Sequence, residues 1–127
     1  MIFVDTNVFM YAVGREHPLR EEARAFFRET LRRNEVLVTS SEVLQELLHA
    51  YLPVRRLAQL DAALRLIEAQ VREVWSVEEA DVRLARSLAD RHRGLGARDL
   101  VHLACCQRRR ARSIQTYDRG LAAAMER

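Results

Sequence analysis

The chain has 127 residues, 49% of them apolar and 31% charged, with a formal net charge of +3. That is enough for one domain with a buried core; no apolar stretch approaches the ~20 residues of a membrane helix, and the N-terminal apolar run breaks at Asp5 with no basic segment before it, so neither a membrane span nor a secretory signal is expected. All 21 basic residues are arginine, and the two cysteines, Cys105 and Cys106, are adjacent and poorly placed to bridge, which fits small core residues in a reducing, cytoplasmic compartment.

Ile2 to Val4 reads as a short buried strand that stops at Asp5. Asn7 to Val13 reads as a helix ended by Gly14. Pro18 opens a second helix, with Leu19, Ala23, Phe26, Phe27 and Leu31 at helical spacing. Val36 to Val38 is a second strand. Thr39-Ser40-Ser41-Glu42 has the form of a capping box and starts a third helix, whose apolar face is Val43, Leu44, Leu47, Leu48 and Tyr51. Pro53 breaks it, and a fourth helix runs from Val54 to Gln70. Val71 to Trp75 is a third strand, and Ser76-Val77-Glu78-Glu79 is a second capping box, opening a helix to about His92. After the turn Gly94-Leu95-Gly96 come a helix from Ala97 to Arg110, a fourth strand from Arg112 to Gln115, and a terminal helix beyond Asp118. Strands alternating with helices of this length predict an α/β fold. It is a three-layer α/β/α sandwich in one domain over residues 1–127, with a short parallel sheet and right-handed crossovers.

In such sheets, ligands gather beyond the carboxyl ends of the strands. Asp5 stands at the end of strand one and Asp118 just past strand four. Glu46 lies two turns into the helix after strand two, and Asp99 opens the helix before strand four. Asp5 alone also suits the N-cap of the next helix; the functional argument comes from the set. Four carboxylates converging on one spot repel one another and call for a hard cation, Mg²⁺ or Mn²⁺.

Glu42 shares a helix face with Glu46, but as the last residue of the capping box its role is to bind the Thr39 amide. Glu46 lies among Leu44, Leu47 and Leu48 and must be aimed at a polar site. His49 and His102 follow Glu46 and Asp99 by three residues. Histidine ligands suit zinc better than a hard cation, so neither is read as a ligand. Residues 91–112 hold seven arginines against one acid, a local net charge of +6 that suits phosphate. Arg93 and Arg98 flank Asp99 and are the candidates; Arg108, Arg109 and Arg110 also suit the negative end of a helix dipole.

The strand ending in Asp5-Thr6-Asn7, the Ser40…Glu46-Leu47 helix, the Gly94…Asp99…Ala104 segment and Thr116-Tyr117-Asp118 together resemble a PIN domain. The short length is similar to the VapC-type toxins of prokaryotic toxin–antitoxin modules. The resemblance implies a Mg²⁺- or Mn²⁺-dependent endoribonuclease with a 3-2-1-4-5-like parallel sheet, usually a homodimer, held inactive by an antitoxin. The family acids map onto Asp5, Glu46, Asp99 and Asp118. Asp5, Asp99 and Asp118 then hold the metal, and Thr6, Asn7 and Thr116 are the supporting hydroxyls and amide. Arg93 and Arg98 become RNA contacts.

Two other readings start from the same residues. A phosphatase of the haloacid-dehalogenase type also begins with a strand ending in Asp. It needs a second Asp two residues on, where this chain has Asn7, and a lysine, which it lacks. A non-catalytic RNA-binding or scaffold module on the same fold has no need of all four acids.

Overall fold

The computed structural model describes residues 1–126. Four short strands, β1 (Ile2–Val4), β2 (Leu37–Ser40), β3 (Glu73–Trp75) and β4 (Ser113–Gln115), form one parallel sheet in the order β3-β2-β1-β4. The helices between them are α1 (Thr6–Val13), α2 (Pro18–Arg32), α3 (Ser41–Tyr51), α4 (Leu57–Gln70), α5 (Glu79–Leu88), α6 (Ala97–Arg109) and α7 (Arg119–Met125). This is the expected three-layer α/β/α arrangement. The fifth strand implied by the resemblance is absent among the described residues.

β1 and β2 are buried along their whole length, as strands covered on both faces must be. Phe3, Val4, Val38, Phe9 and Phe27 build the main core against α1 to α4. A smaller cluster, Leu88, Leu100, Leu103 and Leu121, joins α5, α6 and α7. Cys105 and Cys106 are free and buried, and burial drives the Cys105 thiol up to about 12, which leaves it unreactive.

The central strand β1 pairs with β4 in the register Phe3–Ile114 and Val4–Gln115. The Asp5 amide continues the ladder by donating to the Gln115 carbonyl at 3.0 Å. This pairing sets the ends of the first and last strands side by side.

Both predicted capping boxes are corrected. Thr39 and Ser40 belong to β2, where they pair with Val74 and Trp75, and the Thr39 hydroxyl donates to the Val4 carbonyl at 2.8 Å. The N-cap of α3 is Ser40, with no side-chain cap bond. The second box sits two residues later than predicted, with Glu78 as N-cap and Asp81 accepting from its amide at 2.8 Å. α5 also ends at Leu88, short of His92.

Helix α4 begins at Leu57 rather than Val54, because the chain after α3 closes in a Schellman turn. Arg55 takes the left-handed conformation at φ 54°, its amide bonds to Leu52 and that of Arg56 to Tyr51. Asn34 and Arg110 end α2 and α6 in the same way. None of the three left-handed residues is glycine.

Candidate active site

Asp5 leaves β1 as the N-cap of α1. The cap reading of this residue holds, and its side chain also lines the cleft described below. Its Oδ1 accepts from the Thr6 amide at 2.8 Å and its Oδ2 from the Thr116 hydroxyl at 2.7 Å. Thr116 spends its single donor there and accepts from the Asp118 amide at 3.0 Å and the Asn7 side-chain amide at 3.5 Å. The Asn7 carbonyl oxygen in turn accepts from the Tyr117 amide at 3.2 Å. Asn7 and Thr116 thus tie the ends of β1 and β4 together, and the Thr6 amide holds the other oxygen of Asp5.

Asp118 caps α7, accepting from the Leu121 amide at 3.0 Å. Asp99 lies in the first turn of α6, where the helix dipole favours an anion. Glu46 comes from α3. Asp5, Glu46, Asp99 and Asp118 line one cleft of about 270 Å³, together with Thr6, Asn7 and Arg98. All four predicted acids are brought together from four separate segments.

The charges in this cleft are under-compensated. Burial, then the charges of Asp118 and Asp5, push the Asp99 carboxyl up to about 6. Burial raises Asp5 as well, against the opposing pull of His102 and its hydrogen bonds. The Thr6 hydroxyl is buried at the same spot without a hydrogen-bond partner. An all-oxygen donor set with excess negative charge and an orphaned hydroxyl fits a hard divalent cation.

His102 is the participant that sequence reasoning left without a role. It is wholly buried, with Nε2 at 2.5 Å from Glu46 Oε1 and 3.5 Å from Asp5 Oδ1. Burial opposes its charged form, but the Glu46 hydrogen bond and the Asp5 charge outweigh it and raise the imidazole above its usual range. One atom each from Asp5, Glu46 and His102 lies within 4.8 Å of the others, close enough to hold a metal. The histidine does not line the cleft, and its Nε2 is already taken by Glu46. It is better described as a buried strut under two of the acids. Its i+3 spacing from Asp99 was the one signal in the sequence.

The arginine-rich stretch divides. Arg98 lines the acid cleft and stands 4.0 Å from Glu42. Arg93 lies in a separate hollow with Gly94 and Gly120. Arg108 and Arg109 both clamp the buried carboxylate of Asp81 at 2.8 Å, and Arg109 also lies over the Trp75 ring. That pair is structural, tying α5 to α6. Glu42 makes no capping bond to Thr39 among the described residues, and it does not line the cleft.

Residues 2–126 match the PIN domain family. The chain is 61% identical over 124 residues to Ribonuclease VapC23 of Mycobacterium tuberculosis, covering 98% of each. In structure it is similar to VapC20 of Mycobacterium tuberculosis, a sarcin-ricin loop cleaving toxin, with a TM-score of 0.78, 21% identity and coverage of 98% and 95% of the two chains. It is also similar to a chain of VapBC2 from Rickettsia felis bound to a promoter DNA fragment, with a TM-score of 0.69, 20% identity and coverage of 93% and 88%. With a family match along nearly its whole length and 61% identity to a ribonuclease of that family over 98% of the chain, beside four acids that meet in one cleft, the chain belongs to the PIN-domain family and, within it, to the VapC-type ribonucleases.

Proposed function

We propose that this protein is a Mg²⁺- or Mn²⁺-dependent endoribonuclease, the toxin of a toxin–antitoxin pair, cytoplasmic and homodimeric, with its cognate antitoxin as protein partner. The observation that carries the metal-dependent reading is the meeting of Asp5, Glu46, Asp99 and Asp118 in one cleft, where Asp99 is pushed up to about 6. No helix among the described residues is long and apolar enough to cross a membrane.

Asp5, Asp99 and Asp118 are the residues that would hold the ion. The chemistry such an ion supplies is charge shielding at the phosphate and acidification of the attacking water. Glu46 completes the cluster. His102 occupies its Oε1, which fixes the carboxylate and leaves Oε2 to take a proton. Thr116 and the Thr6 amide hold both oxygens of Asp5 in place. Arg98 supplies a positive charge at the cleft wall for the RNA backbone. The products of hydrolysis by water are a 5′-phosphate and a 3′-hydroxyl.

The test is single-turnover cleavage of a structured RNA with Mg²⁺ or Mn²⁺ and with EDTA. Cleavage should stop in EDTA, and Asp5→Asn should lower its rate at least ~10²-fold, as expected when charge stabilisation at the reacting centre is lost. Cleavage that persists in EDTA, or that Asp5→Asn leaves unchanged, overturns the metal mechanism.

A further inference from the structure

A second hollow, of about 430 Å³, opens beside the acid cleft and shares Asn7 and Met10 with it. Its volume is within the ~300–1,000 Å³ range of small-ligand sites. Tyr11, His17 and Tyr51 form its aromatic surface, and Arg15 and Arg56 are its cations. Arg15 and Arg56 are both exposed, and neither has an ion-pair partner among the described residues. Unlike the acid cleft, this hollow has no carboxylate in its lining.

The aromatic surface is continuous with the catalytic strand ends. Tyr117, between Thr116 and Asp118, meets the Tyr11 ring edge-on at 5.5 Å and 88°. Tyr11 in turn packs against His17 in a tilted arrangement, at 5.0 Å and 35°. His17 is held in place because its Nδ1 accepts from the Leu19 amide at 3.0 Å, so in the neutral ring Nε2 carries the proton. The Schellman turn at Arg55 sets Arg56 against the end of α3 by bonding its amide to the Tyr51 carbonyl.

We propose that this hollow is a subsite for an unpaired base of the RNA strand next to the scissile phosphate, with Tyr11 and His17 as its stacking platform and Arg15 and Arg56 on the adjoining phosphates. The proposal rests on the nuclease reading of the acid cleft. Its physical basis is threefold. A strand whose phosphate lies over the acids runs directly past Asn7 and Met10 into the hollow. Single-stranded RNA is held by stacking of splayed bases on aromatic and guanidinium planes. The charge of the rim is opposite to that of the backbone, while an acid-free lining admits the base. Base choice at this position then depends on Tyr11 and His17 rather than on the acids.

The test is a fluorescence titration in EDTA, where cleavage is off, with a single-stranded tetraribonucleotide that carries 2-aminopurine, and with the same oligomer made abasic at that position. The wild-type protein should quench the 2-aminopurine and bind the abasic oligomer about tenfold more weakly. Tyr11→Leu should weaken binding of the base-containing oligomer by about the same factor and bind the abasic one no worse than wild type does. His17→Asn, which keeps a capping oxygen for Leu19, should act in the same direction. The wild-type comparison of the two oligomers needs no variant and stands if Tyr11→Leu fails to fold.

Cleavage of a longer RNA in Mn²⁺ is measured in parallel. Absence of cleavage counts against the nuclease reading and leaves the quenching result to be judged alone. Cleavage with equal wild-type affinity for the base-containing and abasic oligomers overturns the subsite. So does a Tyr11→Leu protein that binds RNA normally but escapes inhibition by the antitoxin, which assigns the hollow to the protein partner.

Discussion

The Thr116 hydroxyl donates to Asp5 Oδ2 at 2.7 Å across 111 residues of sequence. It fixes an acid of the first strand from the end of the last. Thr116→Val removes the donor and leaves a buried carboxylate oxygen unpaired, at a cost of roughly 1–3 kcal/mol. Mn²⁺ affinity, read by titration of the whole protein, should fall roughly 10–100-fold. Thr116→Ser should restore it. Equal Mn²⁺ affinity in Thr116→Val and wild type rules out this positioning role.

Asp99 should make the metal-free protein less stable as pH rises. Its carboxyl is pushed up to about 6 in the folded protein from an ordinary value of 3.8. The folded state therefore resists ionisation that the unfolded chain accepts, and stability is lost as pH climbs through that window. Asp99 is partly solvated, so the effect should be modest, about 1 kcal/mol or roughly 3–5 °C. In EDTA, Asp99→Asn should melt like wild type near pH 4 and above it at pH 7. Added Mg²⁺ should stabilise wild type more than the variant. A variant that melts below wild type at pH 7 in EDTA would falsify the idea of an over-charged cluster.

Asp81 predicts the opposite slope. It is fully buried; burial alone would raise its carboxyl, but Arg109, the Glu78 amide and Arg108 together hold it well below the usual carboxylate range. Its contribution is present above about pH 4 and lost as pH falls into its own depressed range. Asp81→Asn leaves two guanidinium groups facing a neutral partner and should cost about 3 kcal/mol, on the order of 10 °C. RNA cleavage at room temperature should persist. Thermal melts of Asp81→Asn at pH 7 decide it: a shift of only a degree or two means that Glu78 alone keeps the arginines satisfied.

Arg98 and Arg93 were equivalent candidates in sequence, but only Arg98 lines the acid cleft. Arg98→Ala should weaken binding to unrelated single-stranded RNAs alike and lower the salt slope by roughly 0.7. Arg93→Ala should have the smaller effect. Filter binding at several salt concentrations checks both, and an equal loss in the two variants would extend the RNA path to the Gly94 hollow.

Arg110 ends α6 at φ 56° with no salt bridge among the described residues. A side chain in this conformation costs roughly 1–2 kcal/mol, partly offset by the greater entropy that glycine loses on folding. Arg110→Gly should raise the melting temperature by a few degrees. A lower value by calorimetry would mean that Arg110 has a stabilising partner.

The acids were legible because topology does most of the work. A buried strand that stops at Asp5, and a half-buried one that stops just short of Thr116, must end on the same edge of a parallel sheet once they are neighbours. What was not legible depended on partners distant in sequence. Thr39 looked like a helix cap until the Val4 carbonyl, on the neighbouring strand, claimed its hydroxyl. Arg108 and Arg109 looked like a basic surface because Asp81, their counter-charge, lies on another helix. His102 carried only a spacing; its task depends on Glu46, 56 residues away.

The pairing of β1 with β4 also has a consequence for synthesis. Asp5 and Glu46 are made early, but the hydroxyl that fixes Asp5 and the fourth acid arrive only at Thr116 and Asp118. Seventy-two residues separate Glu46 from Asp118 (118 − 46), which takes roughly 4–14 s at ~5–20 residues per second. Through most of that interval the nascent chain on a ribosome lacks the strand that locks Asp5, and it lacks the fourth acid to the end, holding two acids until Asp99 is added and three thereafter. An RNA-cutting enzyme assembled in this order should stay silent beside the message and ribosome that are producing it until translation has passed Asp118.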